Sequence, residues 1–543
     1  MQEDHLNTLA ISLADCSAVD RRAFLGGAAR FLGAAAFTAC GGMAADANTR
    51  QDAPTNVGDQ PVEVAGVPVS LPSDDHTVAG LQQVQRQVLA GHAANHRDLP
   101  LDAKAAYYEW QLWRYHFTPW NQVHHAADLP ANRGERPRTV PGSDSSTWNG
   151  ALLAALSHKY AVTRDAETLQ RINQLVWGMS FFFEVTGKPG LPARNVVRAD
   201  GLVQAGQSPY DAADGTRYFY LADPAKGTFN QIAAGLAAVM MYAEPDLPPE
   251  TQRLLKIRLA EFVIHLVDHE YHITGADGKR TKYGDLTPLI AGVGVPFNAQ
   301  VAFQIVFLGQ VFVWHDAALR ERIAHQYHRL REKHHVYFEQ PWKSLIQPQR
   351  VAASPLVKGM NDRNHAISAA FTGLLLERYQ ATCDGRGIDE TFVYRLGQTL
   401  YWGMQALERD ANSLCNFMYA GLLADEQMFA AMSPQRPDQT RRQVAGLLDS
   451  GVEQLRRFPL DRFHRPGETY KTRQATGVDA RRGSDFYWKE PSDEAFRPTG
   501  PINGRTNCGT DYLYAYWLMR HFGLDETPAI KQKYAAVLRK SLP

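Results

Sequence analysis

NGALLAALSHKYAVTRDAETLQRINQLVWGMSFFFE, residues 149–184, decides the fold. Leu152, Leu156 and Tyr160 recur at helical spacing, and after a break of a few residues Leu169, Ile172, Val176, Met179 and Phe183 do the same. Two helices joined by so short a link must lie antiparallel. The stretch after Pro249 repeats the pattern, with Leu255, Leu259, Phe262, Val263 and Leu266 on one helix face. Carried along the chain, the same reading predicts helices near 78–97, 101–116, 149–163, 165–184, 228–243, 249–270, 298–312, 315–337, 363–380, 388–408, 413–431, 436–456, 509–522 and 526–540. They come in pairs with short internal links, and the longer segments 117–148, 185–227, 271–297, 338–362 and 457–508 separate most pairs. A ring of helical hairpins needs short turns at one end and long loops at the other. Long loops gathered on one rim would build a cleft there. No tetratricopeptide-length or heptad repeat is visible, which disfavours an open solenoid.

Upstream of this pattern, Asp20-Arg21-Arg22-Ala23-Phe24-Leu25 and the Gly/Ala/Phe-rich run ending at Cys40 look like a twin-arginine export signal. Phe37-Thr38-Ala39-Cys40-Gly41-Gly42 resembles a lipobox in which Cys40 receives lipid, although Phe37 stands where leucine is usual. Ordinary cleavage near Ala44-Ala45, discarding Cys40, is the alternative. The resemblance implies a signal over 1–40, engagement of the twin-arginine export machinery, folding before export, and a place in the periplasm or outer cell envelope. If Cys40 is modified, the partner is also the membrane, through a lipid anchor. Residues 41–77 read as a flexible tether with one short strand at most, and 78–543 as the folded domain. A spanning helix in the mature protein would need ~20 apolar residues, and no such run is present.

With 57 basic and 57 acidic side chains, the chain carries no net field to attract a polyanion, so nucleic-acid binding is not expected. Only Cys383, Cys415 and Cys508 lie beyond the signal, which allows one disulfide at most and leaves stability to a large core. No Cys/His cluster has zinc spacing, and no cofactor is expected.

Aromatic motifs stand at the loop–helix junctions: Ser143-Asp144-Ser145-Ser146-Thr147-Trp148-Asn149-Gly150, the segment Ala276 to Asp285, and Gly509-Thr510-Asp511-Tyr512-Leu513-Tyr514-Ala515-Tyr516-Trp517. With the pair count and the loop asymmetry, they make residues 78–541 resemble the (α/α)6 toroid, or six-hairpin glycosidase-like, superfamily. That resemblance implies an all-α toroid with a small β-hairpin insertion, a glycan substrate, and glycoside hydrolase, polysaccharide lyase or sugar epimerase activity. It carries over no catalytic residue, and fold alone does not choose among these activities.

Candidate residues follow from chemistry at the junctions. Asp144 precedes an apolar helix beside Trp148, where an aromatic wall would raise a carboxyl pKa toward that of a general acid; capping of the helix by Asp144, Ser145 or Ser146 is the plainer reading. Asp214, Arg217, Tyr218 and Tyr220 combine a carboxylate, a bidentate donor for a uronate and rings that stack on pyranoses; a surface turn with the aromatics packed inward is the alternative. Asn230 and Gln231 open the next helix and read as first-turn hydrogen bonders. Asp277-Gly278 predicts a hairpin closed by a type I′ turn, which leaves Tyr283 and Asp285 beyond it as ligand contacts. His265, His269 and His272 share a helix side, but they lack the His-Glu-x-x-His pattern and read as a polar flank. Asn361, Asp362, Asn364 and His365 form a dense polar junction, with His365 able to move protons near neutral pH and helix capping as the alternative. Tyr487 and Trp488, within a basic and aromatic loop that also holds Arg462 and His464, suit an acidic sugar. Asp511 reads as a helix N-terminal charge.

Three function classes follow. A hydrolase predicts two of Asp144, Asp214, Asp285, Asp362 and Asp485 facing one cleft about 5–10 Å apart. A lyase predicts a Tyr or His base, from Tyr218, Tyr283 and His365, with Arg or Asn neutralising the uronate. A non-catalytic glycan-binding or envelope-assembly lipoprotein predicts aromatics and Arg without a close acid pair.

Overall fold

The computed structural model describes residues 62–287, 289–290, 293–294, 296–313, 316–333, 361–407, 412–435, 437–471, 477–480 and 494–524. The export signal with Cys40, the predicted last helix, and Tyr487 and Trp488 lie outside the described residues. The described chain is mostly helical with small β-hairpins, as the periodicity predicts.

Fourteen helices are present among the described residues: α1 Val78–His92, α2 Leu101–Gln111, α3 Ser145–Thr163, α4 Ala166–Glu184, α5 Lys226–Tyr242, α6 Pro249–Asp268, α7 Pro296–Phe312, α8 Ala317–His328, α9 Asn361–Cys383, α10 Glu390–Leu407, α11 Ser413–Leu423, α12 Glu426–Met432, α13 Pro437–Arg457 and α14 Thr510–His521. Among the described residues, those from 62 to 379 and from 388 to 524 group as one compact unit. The short links carry their own stop and start signals. Between α3 and α4, Arg164 takes a left-handed φ of 52° and Asp165 accepts from the Thr168 N–H at 2.8 Å. Asp316 and Asp425 cap α8 and α12 in the same way.

Burial sorts the helices into two kinds. In α3 the run from Ser145 to Leu156 is buried on all sides, as are Thr228 to Met241 in α5 and the whole of α11. In α4 only one stripe is buried, with Ile172, Leu175, Val176, Met179, Phe182 and Phe183 on it, and α6 is likewise one-sided. α3 packs on α5 and on α14, α5 on α7, and α11 on α14. The α3–α5 crossing is close because both helices present glycine. A Cβ on Gly150 would lie 2.5 Å from the Gln231 carbonyl oxygen, and one on Gly235 would lie 2.6 Å from that of Gly150.

The long connectors carry the strands. Two three-stranded sheets have the orders β10(Arg505–Asn507)-β3(Ala126–Asp128)-β4(Arg138–Val140) and β5(Asn195–Arg198)-β7(Arg217–Leu221)-β6(Ser208–Asp211), both antiparallel. In the first, Arg505 pairs with Asp128 and Asn507 with Ala126, joining the connector before α14 to the one before α3.

Two local expectations are corrected. The segment expected to be tether carries a hairpin, β1(Val62–Val64) and β2(Val67–Val69), and Val64, Val69 and Leu71 bury their side chains in the core, so the packed domain begins before α1. The hairpin of β8(His272–Thr274) and β9(Arg280–Asp285) is present, but its turn is not type I′. The Gly278 N–H reaches the Gly275 carbonyl at 3.0 Å and only Gly278 has positive φ, which makes it a type I turn followed by a left-handed glycine. Asp277 accepts from the Lys279 N–H.

Candidate active site

The helices buried on all sides should be apolar throughout, yet several open on polar residues. Thr228, Asn230 and Gln231 in α5, Asn298, Gln300 and Gln304 in α7, and Asn364, His365 and Ser368 in α9 are all buried. A buried amide or hydroxyl without a partner costs about 1–3 kcal/mol, so such a group asks for an explanation. Among the described residues, Asn230 Oδ1, Gln231 Oε1, Gln300 Oε1, Gln304 Oε1 and Asn364 Oδ1 have no hydrogen-bond partner.

His365 sits among these groups. Its Nδ1 lies 3.4 Å from Asn230 Nδ2, and one helical turn on, Ser368 Oγ lies 3.4 Å from Gln231 Nε2. Gln304 donates to the Asn230 carbonyl at 3.3 Å, which brings α7 against the same part of α5. On its other edge the imidazole faces Gly227: a Cβ there would stand 2.6 Å from His365 Nε2 and 2.8 Å from its Cε1. Gly227 has an ordinary helical φ, so its lack of a side chain serves the ring rather than the backbone. Lys226, just before it, donates to Asn298 Oδ1 at 3.4 Å. α5, α7 and α9 thus place one imidazole, several amides and an ammonium near their first turns. Such a set can take a proton and can donate hydrogen bonds to an anion.

The other predicted residues stand elsewhere. Asp144 stands at the N-cap of α3, but its side chain makes no cap bond; its Oδ1 takes the Arg194 fork at 2.9 and 2.6 Å and its Oδ2 accepts from the Ser143 hydroxyl. Trp148 is 5% exposed and belongs to the core. Asp214 occupies the turn between β6 and β7, where its carboxylate accepts from the Thr216 N–H. Arg217 is the cross-strand neighbour of Asp211 and binds it at 2.6 and 2.9 Å. Tyr218 packs edge-on against Trp120 and Phe181, and Tyr220 is half-buried in the same sheet. Tyr283 is exposed, with the Lys282 ammonium 5.1 Å from its ring centre. Asp285 lies 3.0 Å from Arg280 and 3.9 Å from His272. Burial pushes its pKa up, but hydrogen bonds from Thr287 and the charges of Arg280 and His272 outweigh this and hold it below the ordinary value. Asn361 and Asp362 are in the first turn of α9, and their side chains lie outside the described residues.

Arg462, read as a sugar contact, is instead locked in the interior. It donates to Asp511 at 3.1 and 2.8 Å, with the two side chains 4% and 0% exposed. Burial pushes the Asp511 carboxyl up and Arg462 opposes it. Arg462→Leu would strand that carboxylate, and we expect a loss of 3–5 kcal/mol in urea unfolding, of the order found when one partner of a buried pair is removed. His265 accepts from the Thr274 N–H at 3.3 Å and its pKa falls to about 4 through burial; His269 donates to the His265 carbonyl. Among the described residues no group of three His, Cys, Asp or Glu side chains could hold a metal ion.

Sequence reading reached His365 and Asn364 through the polar density of their junction. It took Asn230 and Gln231 for helix-start residues and passed over Gln300 and Gln304. The available signal was amides four residues apart inside the very apolar run Pro296–Phe312. Set against protein-family models, curated proteins and solved structures, the chain matches none of them.

Proposed function

We propose that the chain is an exported carbohydrate-active enzyme of the (α/α)6 toroid type that cleaves uronate-containing polysaccharide by β-elimination, with His365 as the base. The observation that carries this reading is the buried imidazole of His365 among amides with unused hydrogen-bonding capacity. In the reaction, His365 Nε2 takes the proton at C5, the electron pair of that C–H bond forms the C4=C5 double bond, and the C4–O bond breaks. The leaving oxygen gains a proton, which the imidazolium is placed to return. The unused groups of Asn364, Asn230 and Gln231 are amide oxygens, so meeting the charge that builds on the uronate carboxylate requires these amides to turn their N–H groups toward it. Either end of an amide can be turned inward to serve.

Hydrolysis has weaker support. Asp144 is held by Arg194, Asp214 accepts from the Thr216 N–H in its own turn, and Asp285 is held by Arg280 in its own hairpin. The toroid is supported by the alternation of all-round-buried and one-sided helices. It is supported as well by strand β10 returning to β3 and by α14 packing on α3, which bring the last described hairpin region back to the first. Export rests on the twin-arginine resemblance, and among the described residues no helix is long and apolar enough to cross a membrane.

Purified protein incubated with uronate polymers should produce the ultraviolet absorbance of an unsaturated uronate. New reducing ends without that absorbance would point to hydrolysis instead, and neither signal across acidic and neutral polymers would remove the enzymatic reading. Asp144→Asn is expected to keep elimination within a few-fold of wild type while losing about 1–3 kcal/mol of stability, because the half-buried Arg194 loses a charged acceptor. Loss of turnover in that variant, with the fold intact, would return Asp144 to the reaction.

A further inference from the structure

Gln304 is fully buried in α7, in a run where Phe303, Ile305, Val306 and Leu308 are buried as well. Its NH2 donates to the backbone carbonyl of Asn230 at 3.3 Å. A carbonyl only accepts, so this contact assigns the two ends of the amide and leaves the oxygen as the free one. Gln231 and Gln300 meet the hydroxyls of Ser368 and Thr399, and Asn230 meets a ring nitrogen of His365. Each of those partners can give or take a proton, so these three amides can be turned. Turning Gln304 would set oxygen against oxygen.

The fixed oxygen, Gln304 Oε1, has no hydrogen-bond partner among the described residues. Stability does not account for it. The Asn230 carbonyl belongs to the helical ladder of α5, so a second donor adds little there, while a buried oxygen without a donor is a standing cost. Methionine would fill the same place without that oxygen.

What is missing is a donor, and the surroundings choose its kind. Asn230, whose carbonyl Gln304 holds, contacts His365 through its side chain, so the oxygen belongs with the His365 site. Asn230 and His365 lie one turn inside the positive ends of α5 and α9, with the Lys226 ammonium before them, which disfavours a cation. A neutral hydroxyl fits. A uronate ring carries both a carboxylate for the amides that can turn and free hydroxyls for the one that cannot.

Resting on the reading of this site as one for uronates, we propose that Gln304 is a specificity-determining residue, its fixed side-chain oxygen accepting a hydrogen bond from a free ring hydroxyl of the bound sugar.

The test uses full-length protein with polygalacturonate, alginate and their oligomers as probes. Gln304→Met without ligand should unfold at or above the wild-type temperature, and its kcat/KM should fall about 10-fold, because the sugar hydroxyl loses its acceptor. Wild type should discriminate against the same polymers with their hydroxyls O-acetylated, and Gln304→Met should discriminate less. An unchanged kcat/KM in Gln304→Met would overturn the inference and leave the oxygen to a bound water. A wild type that cleaves acetylated and free polymer equally well would overturn it without any variant. Calorimetric binding of the oligomers separates the two readings. Oligomers bound but not cleaved, and bound more weakly by Gln304→Met, would overturn the proposed function alone; equal binding by the variant, or no binding and no cleavage by wild type, would overturn both.

Discussion

His365→Gln should lower kcat for uronate elimination by about 10²- to 10⁴-fold, the range that a positioned acid–base group supplies. Glutamine keeps approximate size and hydrogen bonding but cannot take the C5 proton. The companion variant is Gly227→Ala, which touches no reacting group. Its Cβ would stand 2.6 Å from Nε2, and real Cβ atoms essentially never come so close, so the imidazole must leave its place. The backbone has no objection, since Gly227 lies in the first turn of α5 without positive φ and alanine is favoured over glycine in a helix by about 1 kcal/mol. We therefore expect Gly227→Ala to unfold at or near the wild-type temperature while losing most of its turnover. Thermal melts and the absorbance of the unsaturated product measure the two independently. An alanine variant as active as wild type would remove His365 from the reaction.

The second large effect is acid unfolding well above the range in which carboxylates titrate. Burial lowers the pKa of His116 and His124 to about 3, and of His265 and His521 to about 4, from an ordinary 6.5. His158 is also pushed well down, by burial and then by the charge of His521. The structure accommodates these rings as neutral groups. The Nδ1–H of His116 donates to the His124 carbonyl, and the Nε2–H of His124 donates to that of Val196. Each folded pKa lies below its unfolded value, so between about pH 6.5 and pH 3 to 4 the unfolded chain binds protons that the folded one refuses. Stability is full above this window and falls as the pH drops through it. At pH 5 each of the four with a stated value withdraws about 2 kcal/mol, together about 8 kcal/mol, comparable to the whole stability of an ordinary domain. Circular dichroism should show cooperative loss of helix near pH 5. His158 stacks on Tyr514 and lies against Tyr242 and His521, so His158→Phe keeps a ring in place and removes one proton-binding group. That variant should move the midpoint to lower pH. A wild-type protein still folded at pH 4 would show that these histidines are reached by water.

The helices were legible because their signal is local. Leu152, Leu156 and Tyr160 repeat at helical spacing whatever surrounds them, and predicted and observed spans agree to within a few residues for α4, α5, α6 and α13. The predicted helix at 101–116 changes at Leu112 into a π-helical turn, a shift in hydrogen bonding that periodicity does not register. The site was half legible. Polar density marked Asn364 and His365, while Asn230 and Gln231, which look like ordinary first-turn residues, gained meaning only when α9 was laid against them.

Period and punctuation in the chain determine most of the described helices and the places where long connectors interrupt them, because each depends on neighbours a few residues away, although the one helix expected at 413–431 is two, α11 and α12. What a charged or polar side chain does was decided by the tertiary structure. Asp144, Arg217 and Arg462 were all candidates to meet a sugar, and each instead closes on a partner: Arg217 on Asp211 across its own hairpin, Asp144 and Arg462 on Arg194 and Asp511 from segments about fifty residues away. A carboxylate or guanidinium gains its chemistry from the charge and water around it, and those belong to the assembled fold.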